Sequence, residues 1–207
     1  MIADESTARD FVASLANQEA MERLELLIAR LLEENRKQNL ISRPSEETVW
    51  QRHIADSAQL LKFVPRETSG KWLDLGTGAG FPGLVIAAIE PEFPVILVES
   101  RARRVEWLNR VVQEIGLSKC EIEGRRLEVV TPFPASVISA RAFAPLPKLL
   151  RLSAPFSTKA TTYLLPKGRS AAQELAELPA KSRKLFHVEQ SLTDSDAGII
   201  VSTPMPE

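Results

Sequence analysis

A ten-residue run with four glycines, Asp74–Gly83 (DLGTGAGFPG), constrains the fold of this chain more than any other feature. The run follows a short apolar strand pattern at 71–75 and precedes an apolar helical pattern at 83–89. Glycines at such a turn allow positive φ and let a ligand approach the backbone where a Cβ would collide. Pro82 suits the first turn of the following helix. The run predicts a ligand-binding turn at the carboxyl edge of a parallel sheet; a turn that binds nothing is the alternative.

Strand and helix patterns alternate around this run. Strand patterns lie at 71–75, 93–99, 119–123, 136–140, 161–165 and 198–202, and helical patterns lie between them at 83–89, 102–115, 146–153 and 169–178. Such alternation is typical of right-handed βαβ crossovers. We therefore predict an α/β fold, a Rossmann-like, doubly wound and mostly parallel sheet.

The first 66 residues differ, because their patterns are helical and contain no strand. Leucine and isoleucine recur there at three- and four-residue spacing, as in Leu24, Leu27, Ile28 and Leu31. Asn17 is a predicted break or cap between two helices, and Ser45 is a predicted N-cap of a further helix reaching Leu61. We predict two units: an N-terminal helical extension at 1–66, packed on the core, and the ligand-binding domain at 67–207.

The composition excludes several classes of protein. With 44% hydrophobic and 26% charged residues among 207, the chain is neither disordered nor of low complexity. One cysteine, Cys120, excludes a disulfide framework, and two histidines are too few for a histidine cluster, so we expect no metal. We expect Cys120 in the core and His187 on the surface. No apolar run approaches the roughly 18 residues of a membrane span, and the N-terminus has no signal pattern, so we expect a cytoplasmic protein without a membrane partner.

Charge is distributed unevenly along the chain. Residues 101–183 carry 15 Lys and Arg against 7 Asp and Glu, a balance of +8, whereas the net charge of the whole chain is −1. A positive face on a nearly neutral protein suits contact with a polyanion. An ordinary uneven surface is the alternative.

The ligand of the glycine run is predicted from the acids around it. The spacing Gly78-x-Gly80-x-x-Gly83 matches the dinucleotide pattern, but Asp74 stands where it would repel a pyrophosphate. S-adenosylmethionine has no pyrophosphate and carries an ammonium and a sulfonium group, so an acidic loop entrance suits it. Glu99 ends the next strand, at the spacing of a carboxylate that holds ribose hydroxyls. We therefore expect S-adenosylmethionine as cofactor, with NAD as the alternative.

Seven short motifs point to a known family. They are QNL at 38–40, RHIADS at 52–57, DLGTGAGFPG at 74–83, VESRARRVEWL at 98–108, RLE at 126–128, SARAF at 139–143 and KG at 167–168. In this order they resemble the 16S ribosomal RNA guanine-N7 methyltransferases, also called glucose-inhibited division protein B. The resemblance covers about residues 24–170, and it departs from the family's pattern at Pro166 and at 33–35.

The resemblance implies a fold, a reaction and a site. The fold would be the S-adenosylmethionine-dependent methyltransferase type, and the substrate would be a specific guanine of 16S ribosomal RNA, within the small ribosomal subunit or an assembly intermediate. A small-molecule methyltransferase and an NAD-binding oxidoreductase are the alternatives. Guanine N7 carries a lone pair and no proton, so no catalytic base is expected. The implied cofactor-binding residues are Gly76 and Phe81 at the methionine end, Glu99 at the ribose, Leu127 and Glu128 at the adenine, together with Gly78 and Arg141.

Arg141 is unusual because it interrupts an apolar run. An unpaired buried arginine is unfavourable, so we expect it to face a ligand or to pair with an acid. Its ligand would be the methionine carboxylate or an RNA phosphate. His53 and Asp56 are interpreted as structural or substrate-side residues, with a surface pair as the alternative. Candidate phosphate-binding cations are Arg103, Arg104, Arg125, Arg126, Arg141, Lys148, Arg151 and Lys167.

Overall fold

The computed structural model describes residues 1–202 of the chain, and within them one seven-stranded sheet lies between residues 71 and 202. Its strands are β1 (Lys71–Leu75), β2 (Val95–Val98), β3 (Cys120–Glu123), β4 (Ala135–Ala140), β5 (Thr162–Gly168), β6 (Phe186–Gln190) and β7 (Gly198–Ser202). The order is β3-β2-β1-β4-β5-β7-β6; β1 to β5 are parallel, and β7 is antiparallel to β5 and β6. The order reverses between β1 and β4, which confirms the predicted doubly wound, mostly parallel sheet.

Helices cover both faces of this sheet. The α-helices are α1 (Glu5–Ala13), α2 (Gln18–Asn35), α3 (Asp56–Ala58), α4 (Gly83–Ile89), α5 (Ala102–Glu114), α6 (Leu146–Ser153), α7 (Ala171–Ala176) and α8 (Ala180–Arg183). Trp72 and Val137 belong to the hydrophobic cluster that includes residues of α2, α4 and α5. Their neighbours Leu73 and Ile138 belong to the cluster that includes residues of α6 and α7. Because both faces are covered, β2 is buried at every position rather than at alternate ones.

The N-terminal helices pack directly on the sheet domain. Asn17 caps α2 by accepting a hydrogen bond from Ala20 N at 2.8 Å, which confirms the predicted break. Leu24 and Leu27 are fully buried in the same cluster as Trp72. The extension therefore shares the core of the sheet. Burying one such leucine stabilises the folded chain by about 1.5–3 kcal/mol. The boundary at residue 66 stays a prediction, and residues 203–207 of the predicted domain lie outside the described residues.

The predicted start of the helix after Ser45 is wrong, and two elements near the C-terminal end of the sheet were not predicted. Ser45 caps no helix, because its hydroxyl donates to the carbonyl of Ser42 at 2.8 Å inside a 3₁₀ turn. The helical segment begins instead at Trp50 as a π-helix, Trp50–Ala55, continues through α3 and ends as the 3₁₀ turn Gln59–Phe63. Strand β6 and helix α8 have no counterpart in the prediction. Both are mostly exposed, so their sequences lack the apolar periodicity that reveals a buried element.

Candidate active site

The glycine run forms the predicted turn between β1 and α4. Gly76 and Gly78 both have a φ of +62°, in the left-handed region that favours glycine. A Cβ on Gly76 would lie 2.6 Å from a ring carbon of Phe143, so a side chain at this position requires Phe143 to move. The Trp107 indole N–H donates to the carbonyl of Ala79 at 3.0 Å and anchors the loop to α5.

A cavity of about 410 Å³ opens beside this turn and is called the glycine-loop cavity below. Four predicted cofactor-binding residues line it: Gly76, Glu99, Leu127 and Glu128. Leu127 is buried and Glu128 is exposed on the same 3₁₀ turn, so they offer the cavity an apolar and a polar contact. The cavity lies beside the switch point of the sheet, where doubly wound folds bind ligands.

Backbone N–H groups hold Glu99 in this cavity. Its side chain is 7% exposed. Oε1 accepts from the N–H groups of Ser100 at 2.7 Å and Arg101 at 2.9 Å, and Oε2 accepts from Gly78 N at 3.2 Å. Arg104 Nη1 lies 3.7 Å from Oε2. These donors fix the orientation of a carboxylate beside the cavity, and the bond to Gly78 connects it to the glycine turn.

The predicted role of Asp74, an acid at the loop entrance that repels a pyrophosphate, is wrong. Its side chain is fully buried below the turn, where Oδ2 accepts from Gly83 N at 3.0 Å and Oδ1 from the Ser139 hydroxyl at 2.7 Å. Burial raises the pKa of this carboxyl above its ordinary value. Asp74 therefore ties α4 to β1 and β4, and it is not an acid at the loop entrance that selects the ligand. The acid at the cavity is Glu99.

The Phe81 side chain lies in the core and not among the residues that line the glycine-loop cavity. Its ring stacks on His53, with ring centroids 5.0 Å apart and planes 15° apart. Arg141 lies over the same ring at 5.4 Å. This placement is that of a core residue, and a cofactor contact by Phe81 stays a prediction.

Arg141 lies in a second cleft, which consists of two adjoining cavities of about 440 and 730 Å³. The guanidinium lies 3.6 Å from Asp56 Oδ2 and 3.2 Å from His53 Nδ1, and it donates to the carbonyl of Arg52 at 3.3 Å. The predicted pairing with an acid is thus confirmed, and the acid is Asp56. His53 is 8% exposed, so the surface-pair alternative is wrong. Burial first, and then the charges of Arg141 and Arg52, lower the pKa of His53 to about 3.

Ala142 lies between the glycine-loop cavity and the second cleft. It borders the glycine-loop cavity and both parts of the second cleft. Its φ of +53° is unusual for a residue with a Cβ, and strained backbone of this kind is concentrated at functional sites. The turn sends Arg141 toward the second cleft and Phe143 toward Gly76. Sequence reasoning missed Ala142, because alanine gives no signal of a positive φ.

The predicted phosphate-binding cations differ in how exposed their side chains are. Lys167 lines the second cleft, but its side chain is only 6% exposed, lies 2.9 Å from Glu174 and donates to the carbonyl of Ala144 at 2.9 Å. These contacts already satisfy the ammonium group, and a phosphate contact by Lys167 stays a prediction. Arg104 is half-buried beside Glu99. The exposed candidates are Arg103, Arg125, Arg126, Lys148 and Arg151. Of these, Arg125, Arg126 and Lys148 line the glycine-loop cavity.

The remaining singled-out residues lie away from both cavities. Cys120 is buried, as predicted, and burial raises the pKa of its thiol to about 12. His187 lies exposed on β6, 3.1 Å from Glu189, as predicted. Among residues 1–202, no group of three or more His, Cys, Asp or Glu side chains has the geometry of a metal site. None of the described helices has the length and apolarity needed to cross a membrane.

Comparison with known proteins shows the family of this chain. Residues 20–199 match the family described as rRNA small subunit methyltransferase G. The chain belongs to this family. A ribosomal RNA small subunit methyltransferase G from Erythrobacter litoralis (strain HTCC2594) is 62% identical over 201 residues, which is 97% of this chain and 97% of that protein. One from Sphingopyxis alaskensis is 49% identical over 98% of this chain and 88% of its own length.

Solved structures extend the comparison to the fold. A variant of MtNAS in complex with S-adenosylmethionine superposes with a TM-score of 0.58 at 16% identity. The match covers 98% of this chain and 78% of that one. At this identity the likeness shows a shared fold alone, and that fold is the Rossmann-like type that the sequence predicts for the family.

Proposed function

We propose that this member of the family transfers a methyl group from S-adenosylmethionine to N7 of a specific guanine in 16S ribosomal RNA. One observation carries the proposal: Glu99, Leu127 and Glu128 meet beside a glycine turn at the switch point, in a chain that belongs to the rRNA small subunit methyltransferase G family. S-adenosylmethionine supplies the sulfonium methyl group when it is bound.

The glycine-loop cavity has the groups needed to hold that cofactor. Glu99 is already oriented by backbone donors and accepts hydrogen bonds from ribose hydroxyls. Leu127 provides an apolar contact for the adenine, and Glu128 accepts from its amino group. The positive φ of Gly76 and Gly78 brings the backbone close to the methionine end.

The acceptor guanine is proposed to enter the second cleft, on the other side of Ala142. N7 has no proton to lose, so the protein has to align the methyl group and N7 and needs no base. His53 is consistent with this, because burial lowers its pKa to about 3, so it is a weak base and does not titrate in the physiological range. In an A-form helix N7 faces a deep and narrow groove, so the target guanine is expected in a loop or extruded from its helix.

The substrate and its context are the finer part of the proposal. The exposed side chains of Arg125, Arg126 and Lys148 surround the mouth of the glycine-loop cavity and are suited to RNA phosphates. We propose that the substrate is 16S RNA within the small ribosomal subunit or an assembly intermediate.

Single-turnover methyl transfer tests the proposal. Protein, labelled S-adenosylmethionine, and either free 16S RNA or small subunits from cells that lack this protein are mixed, and the modified base is mapped. The expected product is one 7-methylguanine, formed at a rate that is nearly constant between about pH 6.5 and 8.5. No transfer to either RNA refutes the substrate, and a tenfold rise per pH unit refutes direct attack by N7. Heating the protein with S-adenosylmethionine or NAD shows which of the two raises its melting temperature.

A further inference from the structure

The partners of Arg141 all belong to one segment that is distant in sequence. Its guanidinium contacts Asp56 Oδ2, His53 Nδ1 and the carbonyl of Arg52, at 3.6, 3.2 and 3.3 Å. The backbone around these partners is π-helical from Trp50 to Ala55, and the N–H of Asp56 bonds to His53 O. Irregular helical turns of this kind are frequent at functional sites.

Asp56 is itself held in place. Its Oδ1 accepts from the Thr193 hydroxyl at 2.9 Å and from the Gln59 amide at 2.9 Å. Gln59 in turn accepts from Leu192 N at 2.8 Å, so the 191–193 loop braces this helical turn. These bonds leave Oδ2 as the oxygen nearest Arg141, and the carboxylate charge partly neutralises a half-buried guanidinium.

His53 makes two contacts with different chemistry. Arginine can only donate, so Nδ1 is the acceptor and the ring is neutral. The ring face stacks on Phe81, the residue of the glycine run that also lies under Arg141. His53 therefore contacts both Arg141, which directly follows β4, and the loop that borders the glycine-loop cavity.

We propose that His53 and Asp56 are positioning residues that orient Arg141 for methyl transfer. This rests on the proposed function. Both side chains line the second cleft, and the effect proposed for them passes through Arg141, whose guanidinium they hold in that cleft next to Ala142. The helical extension thereby becomes part of the active site, although it contributes nothing that lines the glycine-loop cavity.

The test compares single and double variants. Arg141→Lys is measured first, to show whether Arg141 acts on the cofactor dissociation constant or on the single-turnover rate. Asp56→Asn and His53→Phe are expected to change the same parameter in the same direction, by about tenfold. In an Arg141→Lys background neither change should have a further effect. His53→Asn, which keeps an acceptor near the Nδ1 position, should lose less than His53→Phe, which keeps the ring but not the acceptor.

Melting temperatures separate positioning from folding. The control is Glu34→Gln, which removes an ion pair between the buried Glu34 on α2 and the exposed Arg110 on α5, 2.5 Å apart. It should lower stability and leave both parameters unchanged. Effects that add in the double variants, or folded Asp56 and His53 variants with wild-type parameters, overturn the proposal. A wild-type protein that methylates no ribosomal RNA refutes the proposed function instead, and cofactor affinity then still tests the coupling to Arg141.

Discussion

The glycine-loop cavity and the second cleft, which lie on either side of Ala142, are built in different ways. The glycine-loop cavity is organised by backbone groups and by neighbours in sequence, as when Glu99 accepts from the N–H groups of Ser100 and Arg101. The second cleft is organised by side chains that are distant in sequence, as when Arg141 contacts the segment around residue 53.

This difference explains which site residues a sequence reveals. A backbone-built site depends on glycine positions and on strand ends, and both leave a spacing that is visible in one chain. A side-chain-built site depends on which distant segments meet, and no local spacing records that. If this difference is correct, the glycine-loop cavity should depend most on its backbone turn and the second cleft on its side chains.

The largest effect is expected at the glycine turn. Gly78→Val should weaken S-adenosylmethionine binding at least about 100-fold, because a β-branched residue resists a φ of +62° and the shifted turn loses the bond from residue 78 N to Glu99. Titration calorimetry measures this. Gly116→Val is the matched control: its φ is +70°, a Cβ there meets open space, and the site is remote from both cavities. It should lower stability and leave affinity unchanged; equal losses in the two variants contradict a specific role for the turn.

The next effect tests the side chain that this backbone holds. Glu99→Ala should weaken cofactor binding by about 1.5–3 kcal/mol if its carboxylate accepts from ribose hydroxyls. Glu123 is the control, because it ends the neighbouring strand β3 in register with Val98 and does not line the cavity. Glu123→Ala should bind the cofactor normally. An unchanged dissociation constant for Glu99→Ala would show that the carboxylate only orders the turn.

The next effect comes from the buried histidine of the second cleft and is expected only below pH 6.5, so it is absent at neutral pH. His53 has a folded pKa of about 3 and an unfolded pKa near 6.5, so between these values only the unfolded chain binds the proton. Its contribution to stability is complete above pH 6.5 and falls by about 1.4 kcal/mol per pH unit below it. The measurement is the free energy of unfolding from urea titrations of wild type and His53→Asn, in which all other titrating groups cancel. Parallel pH curves would mean that His53 is accessible to protons.

The smallest effect concerns the exposed rim. Lys148→Gln and Arg125→Gln should each lower the slope of log affinity for RNA against log salt by about 0.7, the value for one phosphate contact on a single strand. Binding is measured on a labelled 16S fragment between low and moderate salt. Lys181→Gln, on α8 and outside the residues that line either cavity, is the control and should keep the full slope. An unchanged slope in all three variants moves the RNA surface elsewhere.

The sequence by itself determined most of the sheet and part of the lining of the glycine-loop cavity. The glycine run and the strand end at Glu99 are read from local spacing, because parallel strands bring their carboxyl ends to one edge. Leu127 and Glu128 were supplied by the family resemblance. Strand patterns located β1 to β5 and β7. In β2, β4 and β7, which are almost entirely buried, the pattern is a nearly continuous hydrophobic run, because both faces of these strands are covered. The family motifs supplied the reaction, which neither composition nor periodicity specifies.

Only the tertiary structure decided the directions and partners of charged side chains. Asp74 points into the core, Lys167 pairs with Glu174, and Arg141 pairs with Asp56. In each case the partner is a charge or a polar group on another segment, and its position follows from packing. The backbone spacing of a motif is a local property, whereas the environment of a charge is the sum of contacts from the whole fold. For that reason the glycine turn and Glu99 were visible in the sequence and the network around Arg141 was not.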